Sequence, residues 1–328
     1  MLVKVRLLWK NRLFIAESSR NKMDNASYFI KGKALFGSFP TQSSVRELEQ
    51  EGVRYFVDLT FSDEKKIVPY TTDYSYLRFP IPDCRPPRDW RGFAGLVITI
   101  SDIISSLGED ERIYVHCKGG HGRSGVVVAC LFCHIFGFDP GTALERTTNS
   151  HNKRSVMRDK WRKIGSPQTY PQKNFVGKFF SPLRFYRAFK HGHTAGFSTF
   201  TPHAVVVPGL GTFATAEAAI QAHKASMDTK YVRRLQVASS PAAIRELGRT
   251  VNVRSDWGDI EKDVVFSVLK IKFDQHPSLQ VALLNTGLRR IIYCQPEYDR
   301  GTCGSNILGK ALVKLREHYY RHDREGRF

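Results

Sequence analysis

Cys117 and Arg123 flank Lys118-Gly119-Gly120-His121-Gly122, a spacing that supplies the parts of a phosphate cradle with a nucleophile built into it. Arg112 to Val115 reads as a short buried strand and Gly125 to Phe136 as an apolar helix, so the loop is a strand-to-helix turn. Backbone N–H groups converge in such a turn. Gly119, Gly120 and Gly122 permit the tight backbone this requires, and the helix N-terminus adds its positive dipole end, so an anion is favoured. Beside Arg123, the Cys117 thiol is expected to ionise readily, giving the form that attacks phosphorus. Arg123 offers a planar fork for two equatorial phosphate oxygens, and Lys118 and His121 complete the basic lining. Ser124 can donate to the sulfur as thiolate and as leaving group, and His116 is expected to brace the loop from behind.

The run His116-Cys117-x5-Arg123-Ser124 resembles the signature of the cysteine-dependent protein tyrosine and dual-specificity phosphatases, matching at each fixed position. That family uses an aspartate on a loop upstream of the cysteine as general acid. Tyr74 to Phe79 alternates like a strand and runs into Pro80-Ile81-Pro82-Asp83, so the resemblance assigns the acid to Asp83, with Asp89 as the fallback. Ala34 to Pro40, a helix from about Ser44 and the strand Val53 to Leu59 look like the opening of a compact phosphatase of this class; Ser44 and Glu47 form a candidate capping box. Gly165-Ser166-Pro167-Gln168-Thr169 with Gln172 resembles the segment that positions the hydrolytic water in some relatives, and either glutamine is open to that role or to a plain surface loop. The resemblance implies an α/β domain, a central mostly parallel sheet flanked by helices, over residues 28–180.

The 328-residue chain is long enough for two domains, with residues 1–27 as a basic N-terminal arm. Its 50 Lys and Arg against 31 Asp and Glu give a formal charge of +19, which favours nucleic acid, nucleotides or other phosphorylated ligands without naming one. Lys153, Arg154, Arg158, Lys160, Arg162 and Lys163 read either as a solvated helix face or as a selector of polyanionic substrates. No apolar run is long enough to span a bilayer and no secretory signal is recognisable, so a cytoplasmic or nuclear location and no membrane partner are expected. The six cysteines show neither a disulfide framework nor metal spacing; no metal or cofactor is expected.

Between Tyr170 and His193 the pattern loses periodicity and marks a boundary near 180. Beyond it the chain is α-rich, with helices expected near 215–226, 240–248, 260–273, 277–285 and 305–320. Glu217, Gln221 and Lys224, at i, i+4 and i+7, share one helix face, which by spacing alone is equally a solvated stripe. The residues Phe213 to Lys224, Val253-Arg-Ser-Asp256-Trp257, Leu283-Leu-Asn-Thr-Gly287, Asp299 and Gly304 to Leu312 resemble the NADAR (YbiA-like) family, small α-rich proteins of N-glycosidic chemistry that includes removal of ADP-ribose from guanine. The resemblance implies a NADAR-like domain over 181–322.

Cleaving an N-glycosidic bond passes through an oxocarbenium-like state that a carboxylate stabilises, and Glu217 is the first candidate and Asp299 the second. Gln221 and Lys224 are expected to bind ribose or phosphate, Trp257 to stack on the base, and Asn306 to meet a phosphate at the start of the last helix. Ala218 stands where the family usually has histidine. The expected function is a phosphatase fused to an N-glycosidase, acting on phosphorylated ADP-ribose or nucleotide conjugates, with ADP-ribose, ADP-ribosylated nucleic acid or nucleotide, or phosphoprotein as partner. The alternatives are a dual-specificity protein phosphatase whose second domain only binds ADP-ribosylated targets, and an RNA phosphatase.

Overall fold

A computed structural model describes residues 24–186, 194–225, 228–294 and 306–322. One compact unit runs to Ser181 and a second begins at Pro182. The first unit is built on five strands, β1 (Ala26–Ile30), β2 (Ala34–Ser38), β3 (Val53–Asp58), β4 (Ser75–Arg78) and β5 (Arg112–Cys117), in the order β1-β2-β5-β3-β4. Only the β1–β2 hairpin is antiparallel, so the sheet is mostly parallel as expected. β5 lies at its centre, and its run Ile113-Tyr114-Val115-His116 is buried on both faces, which is why it reads as a continuous apolar stretch rather than an alternating one. Cys117 ends this strand, at the carboxyl edge where open α/β sheets carry their ligands.

Helices α1 (Gln42–Gln50), α2 (Trp90–Ser106), α3 (Arg123–Phe136), α4 (Pro140–His151), α5 (Asp159–Ile164) and α6 (Tyr170–Phe180) cover the sheet. α3 is buried along nearly its whole length, as its Val-Val-Val-Ala-Cys-Leu-Phe-Cys run demands. The N-cap of α1 is Thr41, whose hydroxyl accepts from the Ser44 N–H, so the Ser44–Glu47 capping box does not form. The stretch from Tyr170, aperiodic in sequence, folds as α6, fixed by a Thr169–Gln172 capping box. A core of Leu35, Val45, Leu48, Val53, Phe56 and Tyr114 joins α1 to the sheet.

The second unit holds α7 (Ala216–Lys224), α8 (Thr229–Val237), α9 (Pro241–Thr250), α10 (Trp257–Gln275), α11 (Pro277–Leu284) and α12 (Ile307–His322), with a parallel pair β6 (Leu183–Tyr186) and β9 (Ile291–Cys294) and a hairpin β7 (Val205–Val207) and β8 (Gly211–Phe213). The unexpected helix is α8. It buries only Tyr231 and Leu235, too thin a stripe to show a period among its basic neighbours. No helix among the described residues is long and apolar enough to cross a membrane.

Ile113, wholly buried between Ala34 and Tyr55 of the neighbouring strands, tests the central position of β5. Ile113→Ala is expected to destabilise the first unit by about 2–5 kcal/mol, read as a lower midpoint in urea unfolding.

Candidate functional sites

The strands on both sides of β5 hold the Cys117 loop. Phe39 N–H donates to the Lys118 carbonyl (3.2 Å) and Leu59 N–H to the His116 carbonyl (3.0 Å). Gly120 has φ +72° and sits so close to the Gly37–Ser38 backbone that a Cβ would come within 2.4 Å of the Gly37 carbonyl carbon; no other residue fits. Gln172 and Gln168 press on Gly122 from the far side, and Ser166 Oγ donates to the His121 carbonyl (2.6 Å). Gln172 also bonds the Arg85 carbonyl, while Gln168 donates to Cys84 Sγ (3.0 Å), so both glutamines belong to the wall of the loop. Helix α3 starts at Gly122 with no side-chain cap, unlike α1, α2, α4 and α6, whose first N–H groups are taken by Thr41, Asp89, Asp139 and Thr169. Its first N–H groups therefore remain available to an anion. Asp89, the fallback acid, is spent as that N-cap of α2.

Cys117 is buried, with Ser124 Oγ 3.5 Å from its sulfur, the partner expected for a thiolate. His116, at the end of β5, is itself anchored: its Nε2 bonds the Tyr70 hydroxyl at 2.7 Å, and complete burial drops its pKa to about 4 despite the Asp58 charge 3.7 Å from Nδ1. It is neutral. His121 is not the basic phosphate ligand expected. Its Nδ1 bonds His151 Nε2 (2.8 Å), its ring stacks on Trp161 with centroids 4.6 Å apart, and burial, reinforced by the Arg154 charge, lowers its pKa to about 3. What its side chain offers the loop is an uncharged imidazole.

Arg123 departs from expectation most. Both terminal nitrogens bind the Glu64 carboxylate in a fork, Nη1 also reaches the Ile81 carbonyl (3.1 Å), and Nη2 lies 3.1 Å from Asp83 Oδ1. The remaining N–H, on Nε, is buried without a partner. An orphaned donor beside a buried sulfur and an uncapped helix end is a place for an anion oxygen. Burial works against the Glu64 charge, but the Arg123 hydrogen bond, the Phe61 N–H and the charges of Arg123 and Lys118 outweigh it and hold the carboxyl below its usual range. The pair thus persists above the ordinary carboxylate range and weakens only as pH falls through the lowered value. Glu64 was not legible in sequence: it lies in an irregular loop after β3, with no fixed spacing to Cys117.

In the second unit Glu217 opens α7. Its N–H donates to the Thr199 carbonyl (2.8 Å), the Thr199 hydroxyl donates to its Oε2 (2.6 Å) and Gln221 Nε2 to its Oε1 (3.0 Å), so the carboxylate is fixed through both oxygens. The i, i+4 face is a hydrogen-bonded pair rather than a solvated stripe. Gln221 Oε1 is buried and unpartnered. The turn carrying Thr199 is held by Lys272 on α10, fully buried, whose amine donates to Gly196 O (2.5 Å), Ser198 O (2.8 Å) and Thr201 Oγ1 (2.8 Å). The Lys224 carbonyl accepts from Arg254 N–H, three residues before Trp257 at the start of α10, which brings that segment against the end of α7. Asn306 is a correction. Its side chain clamps β9, donating to the Ile291 carbonyl and accepting from Tyr293 N–H (both 3.0 Å), and is not offered to a phosphate. Asp299 and the Gly304 segment lie outside the described residues. Among the described residues no cluster suits a metal ion. Thr199 and Lys272 escaped sequence reading because neither shares a periodicity with Glu217.

Gly120→Ala is expected to force the loop off the Gly37–Ser38 backbone and lower kcat/KM for an aryl phosphate about 100-fold. Glu64→Gln, which removes the charge that orients Arg123, is expected to lower it about tenfold. Steady-state turnover of p-nitrophenyl phosphate reads both.

Residues 23–176 match the family described as Swiss Army Knife protein, DSP-PTPase phosphatase domain, and residues 184–319 match the NADAR domain. A protein of Invertebrate iridescent virus 6 named as a tyrosine phosphatase, 197R, is 33% identical over 292 residues, 88% of this chain and 90% of that protein. N-glycosidase YbiA of Shigella flexneri serotype 5b is 32% identical over 128 residues, 37% of this chain and 79% of that protein. The solved structure of E. coli YbiA is 27% identical, covering 45% of this chain and 90% of its own, with a TM-score of 0.39. Aligned with the viral relative across both halves, the chain belongs to one family with it and carries a DSP-PTPase phosphatase domain in its N-terminal half and a NADAR domain in its C-terminal half.

Proposed function

We propose that the chain is a bifunctional hydrolase: a cysteine-dependent phosphatase joined to an N-glycosidase that releases ADP-ribose from guanine bases, the two acting on phosphorylated ADP-ribose or nucleotide conjugates. The observation that supports it is the pair of prepared centres, Cys117 with the orphaned Arg123 Nε–H and Glu217 with the orphaned Gln221 Oε1.

At the first centre a phosphate ester enters the loop, displaces Asp83 from Arg123 Nη2 and is met by Nε–H and Nη2–H together. Cys117 sulfur attacks phosphorus in line as the P–O ester bond breaks, and Asp83, which takes up a proton from water on leaving the guanidinium, delivers it to the departing ester oxygen. Water then opens the cysteinyl phosphate, with Ser124 donating to the departing sulfur. Arg123 keeps its orientation throughout because Glu64 holds the opposite edge of the guanidinium. At the second centre Glu217 lies against the anomeric carbon and stabilises positive charge as the bond to the base breaks. Gln221 Oε1 accepts a hydrogen bond from the ligand, Lys224 meets its phosphates and Trp257 its base. The buried Ala218, in place of the histidine that the family resemblance leads one to expect, favours the second reading, in which this domain binds ADP-ribose without cleaving it.

Cys117→Ser is expected to lower turnover of p-nitrophenyl phosphate by several orders of magnitude with the fold kept, and retained turnover excludes the thiolate mechanism. Asp83→Asn is expected to slow poor leaving groups most; an equal loss across leaving groups of very different basicity removes Asp83 from the role of acid. Glu217→Gln is expected to stop release of ADP-ribose from an ADP-ribosylated guanine substrate while leaving ADP-ribose binding within about tenfold, because shape is kept and charge is lost. Tight binding without any release by the wild-type protein decides for the binding-only reading.

A further inference from the structure

Beside the Cys117 loop lies a cavity of about 220 Å³ whose walls include Ser38, Gly119, His121, Arg154, Arg158 and Trp161. Gly119 and His121 belong to the loop itself, and Ser38 pairs in register with Cys117, so the cavity shares a wall with the phosphate cradle. Arg154 is the unusual member. It is 2% exposed, lies over the Phe36 ring at 4.6 Å, and donates through Nη2 to the Phe36 carbonyl (3.0 Å) and through Nε to Ser27 Oγ (3.4 Å).

No described carboxylate forms an ion pair with Arg154. Asp24, the nearby acid, accepts from Ser155 Oγ (2.8 Å) instead. Burial lowers the Arg154 pKa to about 10, and the groups that favour its charge are Tyr114 and Cys117, so it lies within electrostatic reach of the nucleophile. A guanidinium buried without a countercharge is costly unless an anion arrives to meet it. The two ionisable neighbours on the wall do not supply one: His121 is neutral, and Arg158 adds a second cation from the start of α5. Arg162, which the sequence groups with them, is occupied elsewhere, donating to the Asn152 carbonyl (2.6 Å) and the Arg154 carbonyl (2.8 Å). The basic run is thus not one solvated face. Its members divide between a structural clasp at Arg162, a cavity lining at Arg154 and Arg158, and the exposed lysines Lys153, Lys160 and Lys163.

We infer that the Arg154–Arg158 cavity is a second anion subsite that selects, for the phosphatase centre, substrates carrying a further phosphate on the same small molecule as the scissile one. The inference rests on the phosphatase reading of Cys117 and extends it from any phosphomonoester to bisphosphorylated or diphosphate-bearing ones. Arg154 supplies a fixed planar donor and Arg158 an exposed, adjustable one, the combination that grips phosphate oxygens at two depths.

Three substrates test it on the full chain: p-nitrophenyl phosphate, adenosine 5′-monophosphate and adenosine 3′,5′-bisphosphate. The wild-type protein is expected to prefer the bisphosphate over the monophosphate by about tenfold or more in kcat/KM, the yield of one charge-assisted contact. Arg158→Ala and Arg154→Lys are each expected to bring that ratio close to one; Arg158 is exposed and keeps the test valid if the buried Arg154 variant fails to fold. Arg249→Ala, an exposed arginine of the second unit, is expected to leave the ratio alone. A ratio near one in the wild type, a ratio indifferent to Arg158→Ala, or an equal drop in Arg249→Ala overturns the subsite while turnover of p-nitrophenyl phosphate keeps the phosphatase reading. Failure of the wild type on all three substrates overturns both.

Discussion

Everything at the first centre depends on one close approach, the backbone of Gly120 against the backbone of Gly37 and Ser38. A loop that turns its own N–H groups toward a single point has no internal hydrogen bonds to hold it, so its shape must be imposed from outside. β2 and β3 do this from the two sides of β5, through Phe39 and Leu59, and the Ser166–Gln172 segment closes the third side. This explains why Cys117 stands at the end of the central strand. An edge strand has one neighbour and cannot clamp a loop from both sides. The buried length of α3 serves the same end: its apolar packing fixes a helix terminus whose first N–H groups no side chain caps.

Within that frame the fixed charges, rather than the net charge, define the chemistry. The formal +19 brings anions toward the molecule at long range and is screened within about 8 Å at physiological salt. Near the cradle the histidines have lost their charge to burial, His116 and His121 alike, and the guanidiniums keep theirs because it is delocalised and weakly hydrated. Glu64 shows how a negative group can serve an anion site. It takes the two terminal nitrogens of Arg123 and leaves Nε–H, buried and unpartnered, as the one donor the guanidinium has to spare.

The parts legible in sequence were those governed by local rules. The Cys117–Arg123 spacing, the strand before it and the apolar helix after it follow from periodicity and glycine content, and the structure has all of them. The capping box at Ser44 failed because Thr41, three residues earlier, offers the same hydroxyl with a better entry to the helix. His121 was misread as basic because nothing in the sequence reveals Trp161 and His151 closing over it from forty and thirty residues away. Glu64, Thr199 and Lys272 escaped for the same reason: each reaches its partner across a fold that only packing brings together. Asn306 was placed correctly at a helix start and wrongly oriented, since the competing strand β9 lies thirteen and fifteen residues away in hydrogen-bond register.

Both centres keep a buried polar atom without a partner, Arg123 Nε and Gln221 Oε1, and each such atom costs about 1–3 kcal/mol in a folded protein. An orphan alone does not mark a site. Arg316 Nε and the Tyr231 hydroxyl are unpaired too, and Arg316 is otherwise structural, bonding Thr286 and the Arg289 carbonyl. What distinguishes Arg123 and Gln221 is the company of their orphans. Nε lies on a guanidinium already oriented by two carboxylates beside a loop of converging N–H groups, and Oε1 lies on an amide whose other end fixes a carboxylate held again by Thr199. In each case neighbours saturate the rest of the group and leave one atom over, Gln221 Oε1 lying against the bare backbone of Gly248 on α9. That arrangement returns its cost only when a ligand supplies the missing partner.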